Sequence, residues 1–185
     1  MVQAIDDLEA IRRAVGAEEW IVLGHSWGSD LGVRYALERP DRVRAVVGIA
    51  GHGLHSDREW SAAYKAGKAS QVPVEIDWVP EVHAALLGSF KDWIHQPGLW
   101  RSLADSAVPM SFIAAGADIR PSWPLQQLAE LVPGGTFQVV PDVVHDWWAT
   151  DADLWQETCT IACRQASRPS RNPQGARHGH DHLRR

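Results

Sequence analysis

A chain of 185 residues can bury a real core in one domain, and 45 % hydrophobic against 22 % charged residues is the balance of a soluble globular protein. The net charge of −5 is unevenly spread, because residues 164–185 hold six Arg against Asp181 and leave residues 1–163 at −10. An acidic body argues against a nucleic-acid platform, and no apolar run approaches a membrane span or the hydrophobic region of a leader.

Residues 2–15 place Val2, Ile5, Leu8, Ile11 and Val15 on one face of a predicted helix, with Gly16 as its C-cap. Trp20 to Leu23 reads as a short buried strand of a parallel sheet. Gly24-His25-Ser26-Trp27-Gly28 follows, and then a helix over 29–39, stopped by Pro40. Val43 to Ala50 is a valine-rich run and reads as the next parallel strand. Residues 52–106 change character. Helical patterns at about 57–68, 81–94 and 98–105 are joined by a looser stretch from Ser70 to Pro80. Trp60, Trp78, Trp93 and Trp100 fall there, in what reads as a small helical lid between two core strands.

Met110 to Ala115 resumes the core, with Asp118 just past its end. Pro124 starts a helix with Leu125, Leu128 and Leu131 on one face, and Pro133-Gly134-Gly135 ends it. Thr136 to Val140 alternates as an edge strand would. Pro141 to His145 then leads to a last helix carrying Leu154, Trp155, Thr158, Ile161 and Ala162 on one face. Cys159 and Cys163 lie one turn apart there, a spacing that suits neither a structural disulfide nor a zinc site. They read as free thiols of a reducing cytoplasm. Beyond Cys163 the tail shows no apolar periodicity and is expected to be disordered, with His178, His180 and His182 solvated rather than gathered on a metal. The division is therefore 1–51 and 107–163 as two parts of one core, 52–106 as the lid and 164–185 as the basic tail.

Strand, G-x-S-x-G and helix form the context of a nucleophile elbow, a sharp turn that lifts the Ser26 hydroxyl clear of the sheet. Gly24 and Gly28 are expected to keep that turn free of Cβ collisions, and Gly28, Gly32 and Ala36 to let the helix press on the sheet. With Tyr35-Ala36-Leu37 and Pro40-Asp41-Arg42-Val43, the run GHSWGS resembles the α/β-hydrolase superfamily, most of all its proline-iminopeptidase-like members. The resemblance covers Met1 to about Cys163.

A serine hydroxyl is a poor nucleophile until a neutral imidazole takes its proton and an acid holds that imidazole in place. The resemblance implies a chain order of nucleophile, acid and base, each past a strand end. Ser26, Asp118 and His145 satisfy it. Two details depart from the family: the Gly-to-Asp gap in Gly116-Ala117-Asp118 is one residue short, and Val144 stands where Gly often precedes the base. The backbone N–H of Trp27 is the expected first oxyanion donor. The family's second donor comes from an upstream His-Gly loop, and this sequence has only one helix ahead of its elbow strand. His52-Gly53 follows the wrong strand and is rejected for the role.

The resulting expectation is a partial α/β-hydrolase fold: a mostly parallel sheet of about four strands flanked by helices. It would hydrolyse an ester or amide, without metal or organic cofactor, acting on a small molecule or short peptide. Proline-iminopeptidase-like specificity would require lid carboxylates for the substrate's ammonium group, with Glu75, Asp77 and Glu81 available. The elbow strand's flank would be an unpaired apolar edge, open to a second copy of the chain. The rival expectation is a truncated, impaired remnant or a binding scaffold. Neither nucleic acid nor membrane is expected as a partner.

Overall fold

The computed structural model describes residues 1–77 and 79–168. Trp78 and the segment holding His178, His180 and His182 lie outside the described residues. Four strands form one sheet: β1 (Trp20–His25), β2 (Val43–Ile49), β3 (Met110–Ala115) and β4 (Thr136–Val140). They lie in the order β1-β2-β3-β4, and each neighbouring pair is parallel. Parallel neighbours need a crossover, and each crossover carries helix. Helix α2 (Trp27–Glu38) joins β1 to β2, and α6 (Trp123–Leu131) joins β3 to β4. Between β2 and β3 run α3 (Arg58–Gly67), α4 (Pro80–Ile94) and α5 (Leu99–Ala104). Helix α1 (Val2–Ala14) precedes the sheet, and α7 (Trp147–Thr150) and α8 (Ala152–Ala166) follow it.

Side chains alternate across a strand, so β2 and β3 feed two cores at once. Val46, Met110, Phe112 and Ala114 pack with Ile5, Val33, Leu103 and Leu128 on one face. Val47, Ile49, Ile113 and Ala115 pack with Trp147 and Ala162 on the other. The sheet is therefore sandwiched between helices. Edge strand β4 is only partly covered, and its burial departs from the expected alternation: Phe137 and Val140 are half-buried while Val139 is exposed. All six residues of β1 are half-buried, and β2 is its sole strand partner among the described residues. No helix among the described residues is long and apolar enough to cross a membrane.

Two local expectations change. Helix α1 does not bury the stripe that its spacing suggested: Val2, Ile11 and Val15 are exposed, while Ile5, Glu9 and Arg12 are buried. Glu9 accepts from Arg12 and from the Tyr35 hydroxyl, and Arg12 also donates to the carbonyl of Glu18, so a polar cluster docks the helix. The hydrogen bonds from Arg12 and then Tyr35 hold the Glu9 carboxyl down at about 2. Burial, with Glu9 alongside, pushes Tyr35 up to about 12. Gly16 does cap the helix, at φ +70°, where the left-handed region favours glycine. At the other end of the chain, α8 runs to Ala166, so residues 164–166 are helical and do not belong to the structureless tail expected from 164.

The tryptophans of 52–106 divide. Trp93 is buried, with the Arg34 guanidinium 5.6 Å above its ring, and fastens α4 to the body. Trp100 is exposed, and Trp60 turns toward the site.

Candidate active site

Ser26 sits between β1 and α2 with φ 54° and ψ −124°, a left-handed conformation that costs a non-glycine residue about 1–3 kcal/mol. Its backbone N–H donates to Ile49 O at 2.8 Å, so the ladder to β2 holds the turn. A Cβ on Gly24 would lie 2.1 Å from Gly28 O, so glycine is obligatory there. Gly28 itself has no such constraint, since a Cβ there would meet nothing within 4 Å. The expected need for glycine thus falls on Gly24 alone. Nor does the close approach of α2 follow the whole stripe expected of it. Gly32 meets Val22 and Val46, but buried Ser29 comes closer to the sheet, its Oγ 2.3 Å from where a Cβ on Gly48 would stand and 2.5 Å from one on Gly51.

Asp118 follows β3 and His145 follows β4. Their loops are tied together: Gly116 N donates to Val140 O at 2.8 Å, and Ala117 N to Val143 O at 2.9 Å. Ser26 Oγ lies 3.0 Å from His145 Nε2, and His145 Nδ1 lies 2.6 Å from Asp118 Oδ2. His145 and Asp118 are almost completely buried. Burial works against ionising Asp118, but the hydrogen bond and charge of His145, with the charge of Arg120, together hold its carboxyl below the usual value. The other oxygen, Oδ1, accepts from Arg120 N and Nη1, each at 3.0 Å. Both carboxylate oxygens are thereby fixed, and with them the face offered to His145.

Sequence reasoning missed several of these neighbours. Arg120 was signalled only by lying two residues after the acid. His25, inside the elbow motif, meets the His145 carbonyl through Nε2 at 2.9 Å and packs its ring 4.8 Å from that of His145. Burial keeps His25 neutral by lowering its pKa, so Nε2 carries the proton and donates. Asp30, one turn into α2, is buried and accepts from His52 N at 3.3 Å and Gly53 N at 3.2 Å. Trp27 opens α2, and its N–H belongs to the first turn, where amides have no partner within the helix.

A cleft of about 570 Å³ opens over Ser26, walled by Trp60 and Tyr64 of α3 and by Leu86 and Phe90 of α4. Another depression of about 500 Å³ lies along residues 126–137, and none of Ser26, Asp118 and His145 lines it. Glu75, Asp77 and Glu81 are exposed, and none of them lines the cleft over Ser26. His25, His145 and Asp146 cluster closely enough to suggest a metal. Both ring nitrogens of His145 are already engaged, which leaves that cluster without a ligand set.

Residues 1–72 match the family described as alpha/beta hydrolase fold. The chain has the α/β-hydrolase fold. It is 35 % identical over 68 residues to the proline iminopeptidase of Neisseria gonorrhoeae, and 35 % identical over 69 residues to that of Arabidopsis thaliana. Each alignment takes in 37 % of this chain, and respectively 22 % and 18 % of those proteins. The chain thus matches about a fifth of the length of these curated relatives. The crystal structure of proline iminopeptidase from Mycobacterium smegmatis superposes with a TM-score of 0.61 at 17 % identity, over 88 % of this chain and 70 % of that one. At that identity the likeness speaks for the α/β-hydrolase fold and no further.

Proposed function

We propose that the protein is a serine hydrolase of esters or amides, with Ser26 as nucleophile, His145 as general base and Asp118 as the group that orients it. The unbroken hydrogen-bonded line from Ser26 Oγ through both nitrogens of His145 to Asp118 carries this reading. In the reaction Ser26 Oγ attacks the carbonyl carbon while His145 Nε2 takes its proton. The oxyanion is met by the N–H of Trp27. His145 then returns the proton to the departing alcohol or amine, and a water, activated by the same imidazole, releases the acid. Asp118 stays ionised and stabilises the imidazolium. Helices α3 and α4 act as a lid above Ser26, and the two free thiols, Cys159 and Cys163, support a reducing cytoplasmic setting.

The relatives' aminopeptidase activity is not extended to this chain. It would call for a carboxylate over Ser26 to hold an ammonium group, and none lines the cleft among the described residues. One observation favours the rival reading of a non-catalytic scaffold. The amides of His52 and Gly53 are both engaged by Asp30, which leaves Trp27 as the sole candidate oxyanion amide identified at the elbow. A fluorophosphonate probe separates the two readings. The proposal requires a covalent adduct, mapped by mass spectrometry to Ser26 and abolished in Ser26→Ala. An inert wild-type protein would give the scaffold reading its support.

A further inference from the structure

The charged side chains on the walls of the cleft over Ser26 are cationic, while its serines, Tyr64 and histidines can both donate and accept. Lys91 and Arg120 line it, and no Asp or Glu does among the described residues. Arg120 is nine-tenths buried, and with Nη1 spent on Asp118 its Nε has no partner. His55 accepts from Asp57 N through Nδ1 at 3.0 Å, so its neutral ring carries the proton on Nε2, which is buried and unpartnered as well. Burial lowers the His55 pKa and keeps that neutral form. The indole Nε1 of Trp27 is a third buried donor without a partner, and Trp27 also lines the cleft. Leaving a buried donor unpaired is costly, so donors without a partner on three residues that line one cleft point to an acceptor there. The remaining walls, Trp60, Leu86 and Phe90 among them, are apolar.

We propose that the cleft selects substrates in which an apolar body carries an anionic group, a carboxylate, held by Lys91 and the donors of Arg120 and His55. The proposal rests on the reading of Ser26 as nucleophile, and it deepens that reading by naming the class of substrate. It also separates this site from any that must hold a free ammonium group, because Lys91 and Arg120 would repel one. Arg120 keeps one edge for Asp118, so the carboxylate meets a cation already anchored at its far side.

The test uses three 4-nitrophenyl esters matched in length: hexanoate, 6-aminohexanoate and the monoester of adipate. Calorimetric titration of the Ser26→Ala protein reads binding without turnover. The adipate ester should bind about tenfold tighter than the hexanoate ester, as charge-assisted hydrogen bonds imply, and the 6-aminohexanoate ester weakest. Raising the ionic strength should shrink that span. Lys91→Glu should lower the ratio of adipate to 6-aminohexanoate affinity by about tenfold, on an exposed helical position where the change leaves the core alone. Equal binding of the three esters, tighter binding of the cationic one, or an unchanged ratio in Lys91→Glu would each overturn the proposal. Turnover by the wild-type protein is scored separately. If it hydrolyses none of the esters while Ser26→Ala still ranks them with the anion first, the hydrolase reading fails and the charge selection stands.

Discussion

The substitution that probes the elbow most sharply is Gly24→Ala, which adds one methyl group and removes no polar atom. Its Cβ would stand 2.1 Å from Gly28 O, 2.3 Å from Gly28 C and 2.7 Å from Ser29 N, all of them backbone. No rotamer change relieves a clash with backbone. Restoring a carbon–oxygen separation of about 3.3 Å requires β1 and the first turn of α2 to part by about 1 Å. Ser26 Oγ lies between those two segments and is now 3.0 Å from His145 Nε2. A displacement of that size takes it out of hydrogen-bond reach, and a misplacement of about 1 Å can cost about 10²-fold in rate. Overpacking should also lower stability by about 1–3 kcal/mol.

Gly28→Ala is the matched control, since its Cβ would meet nothing within 4 Å and its site is helical. Alanine there should be neutral or stabilising by up to about 1 kcal/mol. The assay is the rate of fluorophosphonate labelling at Ser26, with thermal melting alongside. Gly24→Ala labelling within about threefold of wild type, or Gly28→Ala losing as much as Gly24→Ala, would refute the steric account, because the two glycines would then share the burden.

Two further outcomes follow from the same geometry. His145→Ala and Asp118→Asn should each lower kcat by about 10³–10⁴-fold, and the double variant should be little worse than His145→Ala; losses that multiply would show that the pair does not act as a unit. Glu9 is held at about 2 in the folded protein, below the value of about 4.3 expected when unfolded, so its stabilisation is present above pH 4.3 and lost as pH falls toward 2. The urea midpoint should therefore fall between pH 5 and pH 3, and by less in Glu9→Gln; an equal fall in both would show that the cluster with Arg12 and Tyr35 is not what pins the carboxylate.

The strands were legible because each is a continuous apolar run, and a sheet buried on both faces leaves no other reading of Val43 to Ile49 or Met110 to Ala115. Ser26, Asp118 and His145 were legible as positions after strand ends, and the hydrogen bonds among them put three separate loops in register. Helix α1 misled because hydrophobic periodicity cannot register a salt bridge turned inward, and Glu9 and Arg12 look like surface residues until Tyr35 is brought against them. Gly28 misled for a different reason. Both glycines of G-x-S-x-G look alike in sequence, but the tight approach runs from the Gly24 Cα toward the Gly28 carbonyl, and only one partner in such a contact must lack a Cβ. Gly48 and Gly51 were the unread counterpart: their partner, Ser29, lies far away in sequence.

Asp30 ties these observations together. Three non-glycine residues have positive φ among the described residues, Ser26, Ala50 and Asp142, and they stand just past the ends of β1, β2 and β4. Strained backbone persists only where the surroundings over-determine it. At β1 the constraint is the bond from Ser26 N to Ile49 O. Past β2, Ala50 N donates to Ile113 O, and Asp30 draws the amides of His52 and Gly53 onto α2. The turn that lifts Ser26 and the loop that walls the cleft are thus clamped to the same helix. The clamp works by occupying the two amides that the sequence offers as His-Gly, which is why that dipeptide holds the loop and cannot also serve an oxyanion. One buried carboxylate thus ties the loop past β2 to the helix that begins at the elbow.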